Sequence, residues 1–120
     1  MAQVFKTAWF AKASRKTRNS DAALCDAMGQ VIAGLADDLG GGAYKKRLNR
    51  NMHRLIILAK GGDHWVYQYL FAKQDRANID ADELAAFRLL AKAYAGLTPA
   101  QIAQLLHDGD FTEICHDHQD

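Results

Sequence analysis

Arg54-Leu-Ile-Ile-Leu-Ala-Lys60, then Gly61-Gly62-Asp63, then His64-Trp-Val-Tyr-Gln-Tyr-Leu-Phe-Ala-Lys73 read as two strands joined by a tight turn. Branched and aromatic residues fill both runs, and a glycine pair followed by aspartate is a hairpin signal. Alternation along the second run places Trp65, Tyr67, Tyr69 and Phe71 on one face, with Val66, Gln68, Leu70 and Ala72 on the other. Tyr44 to Asn49 lies immediately upstream, so the economical arrangement is a three-stranded antiparallel meander.

Working outward, Gln3 to Thr7 alternates as a short edge or terminal strand. Ala8 to about Lys16 has a basic amphipathic pattern. Ser20 is an N-cap followed by Asp21 in the first turn, and Leu24, Ala27, Met28, Val31, Ile32 and Leu35 recur at helical spacing to about Leu35. Asp37 to Gly42, with three consecutive glycines, is a turn or loop. Asp80 opens a further helix that Gly96 ends, and Thr98-Pro99 starts another reaching about His107. Phe111 to Cys115 has the length for a last strand. The fold class is α+β: an antiparallel sheet of three to four strands, two N-terminal helices packed on one face, and C-terminal helices. One domain covers 1–120, with a helical extension at about 80–107 and a tail at about 116–120.

The composition, 49% hydrophobic and 24% charged, is that of an ordinary globular chain. No apolar run approaches the roughly 18 to 20 residues of a spanning helix. Lys6 and Lys12 interrupt any N-terminal signal-like segment, so a cytoplasmic location without membrane attachment is expected. Cys25 and Cys115 are far apart and belong to no Cys-x-x-Cys pair, which in that compartment reads as two reduced thiols, with a bridge between them compatible but not demanded.

The net charge of +1 hides a polarised chain. Residues 1–54 hold ten basic and four acidic residues, a balance of +6, whereas residues 55–120 hold five and ten, a balance of −5. Lys45, Lys46, Arg47, Arg50 and Arg54 crowd into residues 44–54. A polyanion is the ligand such a field attracts. If Tyr44 to Asn49 is extended, Lys45 and Arg47 share a face that Arg54 joins from the next strand. The blander alternative is a solvated edge that uses charge against aggregation. The aromatic strand offers stacking surface, but core is its commoner use. Cys115, His116 and His118 carry metal-capable atoms without the second spaced pair of a structural zinc site, so no metal is expected. Dinucleotide, phosphate-loop and nucleophile-elbow motifs are all missing, so no cofactor is expected either. Asp80, Asp82 and Glu83 are accounted for by helix capping and the helix dipole.

Several blocks, in order, carry a resemblance: Val4-Phe5-Lys6-Thr7 with Trp9-Phe10-Ala11, Ser20-Asp21-Ala22-Ala23-Leu24-Cys25, Asp38-Leu39-Gly40-Gly41-Gly42, Lys45-Lys46-Arg47, and Phe71-Ala72-Lys73 with Arg76 and Asn78-Ile79. Together they resemble the RelE/ParE superfamily of small bacterial toxins, in particular the RelE-like (HigB-type) subfamily found beside helix-turn-helix antitoxins. The resemblance implies a toxin that cuts messenger RNA on the ribosome without a metal, using the RNA's own 2'-hydroxyl, and that an antitoxin protein restrains. It puts Lys45, Arg47 and Arg54 on the first three cationic positions around the scissile phosphate. The fourth, usually arginine, falls on Gln74, where Lys73 or Arg76 are substitutes. His53 occupies a position that is often aromatic. The implied catalytic set is Lys45 as base, Arg47 and Arg54 as phosphate clamp, and His53 or Lys73 as acid, with Lys46, Arg50, Gln74 and Arg76 binding RNA. Two alternatives stand beside this one: a gyrase poison of the ParE type, which lacks the basic set, and a non-catalytic RNA- or ribosome-binding module.

Overall fold

A computed structural model of the protein describes residues 3–48, 52–60 and 64–116. In chain order it contains β1 (Gln3–Thr7), α1 (Ala8–Lys16), α2 (Asp21–Ile32), β2 (Asp37–Asp38), β3 (Ala43–Leu48), β4 (His53–Lys60), β5 (His64–Ala72), α3 (Ala81–Ala95), α4 (Pro99–His107) and β6 (Phe111–Ile114). The Gly61-Gly62-Asp63 turn, Arg50 and the tail from 117 lie outside the described residues.

The helix starts are fixed locally by side chains that accept from otherwise unpaired backbone amides. Thr7 Oγ1 accepts from Phe10 N, and Ser20 Oγ accepts from Ala23 N, both at 3.1 Å. α3 and α4 each begin with a reciprocal capping box, Asp80 with Glu83 and Thr98 with Gln101. α2 stops at Ile32, short of the expected Leu35. Gly34 turns the chain at φ +92°, so Ile32 and Leu35 leave the apolar stripe and are exposed.

The sheet has six strands in the order β2-β3-β4-β5-β1-β6. The β3-β4-β5 meander is antiparallel, as expected. Three expectations need correction. The sheet has six strands and not three to four, because β2, β1 and β6 extend the meander on its two sides. β1 is internal, not an edge strand, because β6 returns to pair antiparallel with it. The sheet is also mixed, since β1 runs parallel to β5, with Val4 opposite Trp65 and Lys6 opposite Tyr67. A parallel pair needs a crossover, and α1, α2 and the first strands supply it.

Helices cover both faces. On one, Phe10 of α1 and Leu24 and Met28 of α2 pack with Leu55, Ile57 and Tyr67. On the other, Phe87 and Ala91 of α3 meet Ile56, Leu58 and Phe71, while α4 lies over Phe5, Val66 and Phe111. Each large side chain so buried contributes about 2 kcal/mol.

The expected single aromatic face of β5 is also corrected. Ile56 pairs with Tyr69 but Ile57 pairs with Tyr67, so Gln68 is an extra residue, a β-bulge. The bulge reverses the alternation. Trp65 and Tyr67 join the core under α1 and α2, while Tyr69 and Phe71 face α3.

The two cysteines are bonded, not free thiols. β6 carries Cys115 to Cys25 of α2, with Cα atoms 5.4 Å apart at a sequence separation of 90. Among the described residues no helix is long and apolar enough to cross a membrane.

Candidate nucleic-acid interface

Strand alternation sorts the basic residues of the meander. Arg47, Arg54 and Phe71 are successive register partners across β3, β4 and β5. Two residues along, on the same face, Lys45, Ile56 and Tyr69 form the next row. Lys45, Arg47 and Arg54 therefore share one face, beside the N-terminal end of α3. Directly opposed side chains in such pairs sit about 5 Å apart at Cβ. Arg47 is exposed, whereas Arg54 is 6% exposed, with Nη1 donating to the His53 carbonyl at 3.4 Å.

Arg76, in the segment after β5, completes this face. Its guanidinium carbon lies 5.6 Å from the Phe71 ring centroid, a cation–π distance. Arg76 Nη1 donates to Tyr69 Oη at 3.5 Å, and Nε donates to the Asn78 carbonyl at 3.0 Å. Both terminal nitrogens donate to the Glu83 carboxylate, one of them at 2.9 Å. This hydrogen-bonded pairing raises the Arg76 pKa and lowers that of Glu83. Glu83 has a second task, accepting from Asp80 N at 2.9 Å. The capping function expected of it is present, and the arginine pairing is additional. Lys45 Nζ lies 4.0 Å from Asp37 Oδ2 and donates to Asn78 Oδ1 at 3.5 Å. The face thus holds four cations among the described residues, with Lys45 and Arg76 beside carboxylates.

His53 and Lys73 do not join that face. Neighbours in a strand point to opposite sides, so His53, one residue before Arg54 and paired with Leu48 and Ala72, faces away from the cation row. With Met52, Ala72, Lys73 and Gln74 it lines a separate recess of about 370 Å³ at the end of β4 and β5, tied there by Lys73 N donating to the Met52 carbonyl at 2.9 Å. Lys46 also points away, its Nζ donating to the Leu35 carbonyl at 3.1 Å. Arg50 lies outside the described residues. Asp37, Asn78 and Glu83 are the neighbours that sequence reasoning missed as members of this face. Only Asn78 carried a signal, within the Phe71 to Ile79 block.

The sequence carrying this mixed sheet and its cationic row falls in a family of small toxins of the toxin–antitoxin kind. Residues 2–114 match the family model described as the RelE toxin of the RelE / RelB toxin-antitoxin system, and the chain belongs to that family. Toxins of this family pair with RelB-type antitoxins. No curated protein matches the chain.

Proposed function

We propose that this toxin is a metal-independent, ribosome-associated endoribonuclease that acts on messenger RNA in the cytoplasm. The observation that carries the reading is the convergence of Lys45, Arg47 and Arg54 on one sheet face, with Arg76 standing where Gln74 fails to supply a cation. The RNA brings its own nucleophile: the 2'-oxygen attacks phosphorus, the bond to the 5'-oxygen breaks, and a 2',3'-cyclic phosphate and a 5'-hydroxyl result. The protein must position the phosphate, remove one proton, deliver another and stabilise the added negative charge. Lys45, in its neutral amine form, takes the proton from the 2'-hydroxyl and becomes the ammonium. Arg47 and Arg54 clamp the phosphate oxygens, bidentately where the fork fits. Arg76, held charged by Glu83, serves as a charge stabiliser and not as an acid. His53 and Lys73 remain as proton donors to the 5'-oxygen, which they reach where the RNA turns round the end of β4. Lys46, Arg50 and Gln74 make flanking RNA contacts. A helix-turn-helix antitoxin restrains the toxin by covering the basic face with acidic residues.

The position of His53 and Lys73 across β4 from the cation row favours a second reading, an RNA-binding module without cleavage. Induced expression in bacteria separates the two, wild type beside Lys45→Ala and Arg47→Ala, with growth and messenger RNA 5' ends followed together. The exposed Arg47 is the safer probe, since replacing the buried Arg54 risks the fold. New 5' ends at fixed positions within codons, lost in folded Arg47→Ala protein, are the expected result. Growth arrest with intact messages would refute cleavage and leave binding or a gyrase target.

A further inference from the structure

We propose that the exposed face of α1, centred on Trp9, Lys12 and Lys16, is a second RNA contact that extends the cation row along the substrate strand. The proposal rests on the RNA reading above and adds a surface that lies outside the phosphate site.

Trp9 is 51% exposed, although one face of its indole is already stacked on Tyr69, with centroids 5.0 Å apart and planes at 26°. About half of the residue still reaches solvent. Lys12 and Lys16, three and seven residues on, stand on the same side of the helix and with Trp9 and Ala13 border a recess of about 250 Å³. Arg15 and Arg18 add charge nearby. All four cations are exposed. Among the described residues the ion pairs involve Lys6, Lys45 and Arg76, so these four have no carboxylate partner, and residues 1–20 contain no acidic residue. Cations in a last helical turn favour the helix dipole, which accounts for Arg15 and Lys16. It accounts neither for Lys12 nor for an exposed tryptophan held flat by a tyrosine.

The surface is continuous with the candidate phosphate site. Tyr69, which supports Trp9, accepts from Arg76. Arg76 lies over Phe71, and Phe71 is the register partner of Arg54. A strand whose phosphate rests among Arg47, Arg54 and Arg76 is thereby led toward α1. There one unstacked base meets the exposed part of the indole and flanking phosphates meet the lysines, the combination of stacking platform and positive groove that single-stranded RNA requires. An acidic protein segment would match the charge but has no use for the flat aromatic platform.

The test uses purified full-length chain and single-stranded RNA of two lengths, made non-cleavable by 2'-deoxy substitution at the cut position: one that fills only the cation row and one that extends past Trp9. Binding is read by anisotropy across a salt series for wild type, Lys12→Gln/Arg15→Gln/Lys16→Gln, Trp9→Ala and Arg47→Ala, each checked for folding by circular dichroism. The triple variant should lose about tenfold or more in affinity for the long RNA, lower its log–log salt slope by about 2, and bind the short RNA as wild type does. Trp9→Ala should lose about tenfold on the long RNA alone, and Arg47→Ala should weaken both lengths. A triple variant equal to wild type on both RNAs, with Arg47→Ala still impaired, overturns the α1 contact and leaves the proposed function standing. If the triple variant keeps RNA binding but loses the antitoxin, the face is a protein interface and the proposal fails. Should wild type bind neither RNA, both readings fall.

Discussion

Arg47 and Arg54 are register partners across β3 and β4, two guanidinium side chains set opposite one another on one face, with Arg54 only 6% exposed. Like charges directly opposed in a sheet are destabilising by several tenths of a kcal/mol. The Arg47–Arg54 juxtaposition therefore works against the fold by that repulsion, which an anion bound between the two would relieve. Replacing Arg47 with threonine, a good strand residue, should raise unfolding stability by about 0.5 kcal/mol while weakening RNA binding. Urea unfolding and RNA titration of Arg47→Thr beside wild type read both effects. A variant less stable than wild type would remove the argument from strain.

The Cys25–Cys115 bond ties α2 to the end of β6 across a sequence separation of 90. Chain entropy gives a loop of that size about 4 kcal/mol of stabilisation, acting mainly on the unfolded state. Oxidised protein should accordingly melt some 10 °C or more above Cys25→Ala/Cys115→Ala protein, and reductant should lower the wild type to the same level without changing the double variant. Thermal unfolding with and without a dithiol decides it. In any reducing compartment the pair is expected as the dithiol, which is the less stable form.

What the sequence disclosed follows from how local each signal is. Caps are written in adjacent residues, and Ser20, Asp80 and Thr98-Pro99 were all legible. So were the meander and the shared face of Lys45, Arg47 and Arg54, which rest on hydrophobic pattern and strand alternation. The same alternation sets His53 on the face opposite Arg54. The bulge at Gln68 left no mark, because a one-residue slip depends on how two strands settle against their partners. The position of β1 between β5 and β6, and the meeting of Cys25 with Cys115, are likewise long-range outcomes. Arg76 was read as a binding residue, but its clasp by Glu83 was hidden because the capping role already explained the glutamate.

That clasp gives stability a dependence on acid. Glu83 has its pKa lowered first by the hydrogen bond from Arg76 and then by the bond to the Asp80 amide. A carboxylate held below its unfolded value contributes stability that is fully present above that value, about 4.3, and is lost as pH falls through the lower folded one. Glu83→Gln should therefore be less stable than wild type at neutral pH and lose less stability on acidification below about pH 4.3. Urea midpoints taken across that range for both proteins provide the check, and parallel acid limbs would show that the pair adds nothing.

The alkaline limb belongs to buried phenols. Tyr67 is fully buried, stacked on Phe10 with centroids 5.0 Å apart, and its hydroxyl donates to the Leu24 carbonyl at 2.5 Å. Burial pushes its pKa up, and that of half-buried Tyr94, which donates to Gln68 Oε1 at 2.9 Å, moves the same way. The folded state thus holds these protons more tightly than the unfolded chain does. Their contribution is intact below the unfolded value of about 10 and disappears as pH rises through the higher folded values. Tyr67→Phe keeps the ring in the core and forfeits one hydrogen bond to a helix carbonyl, so it should cost about 1 kcal/mol at pH 7. Above pH ~10 its stability should fall less steeply than that of wild type, because the group that must ionise on unfolding is gone. Tyr94→Phe should flatten the limb less, in keeping with its partial burial. Equal alkaline slopes for wild type and Tyr67→Phe would show that this phenol does not set the alkaline limb.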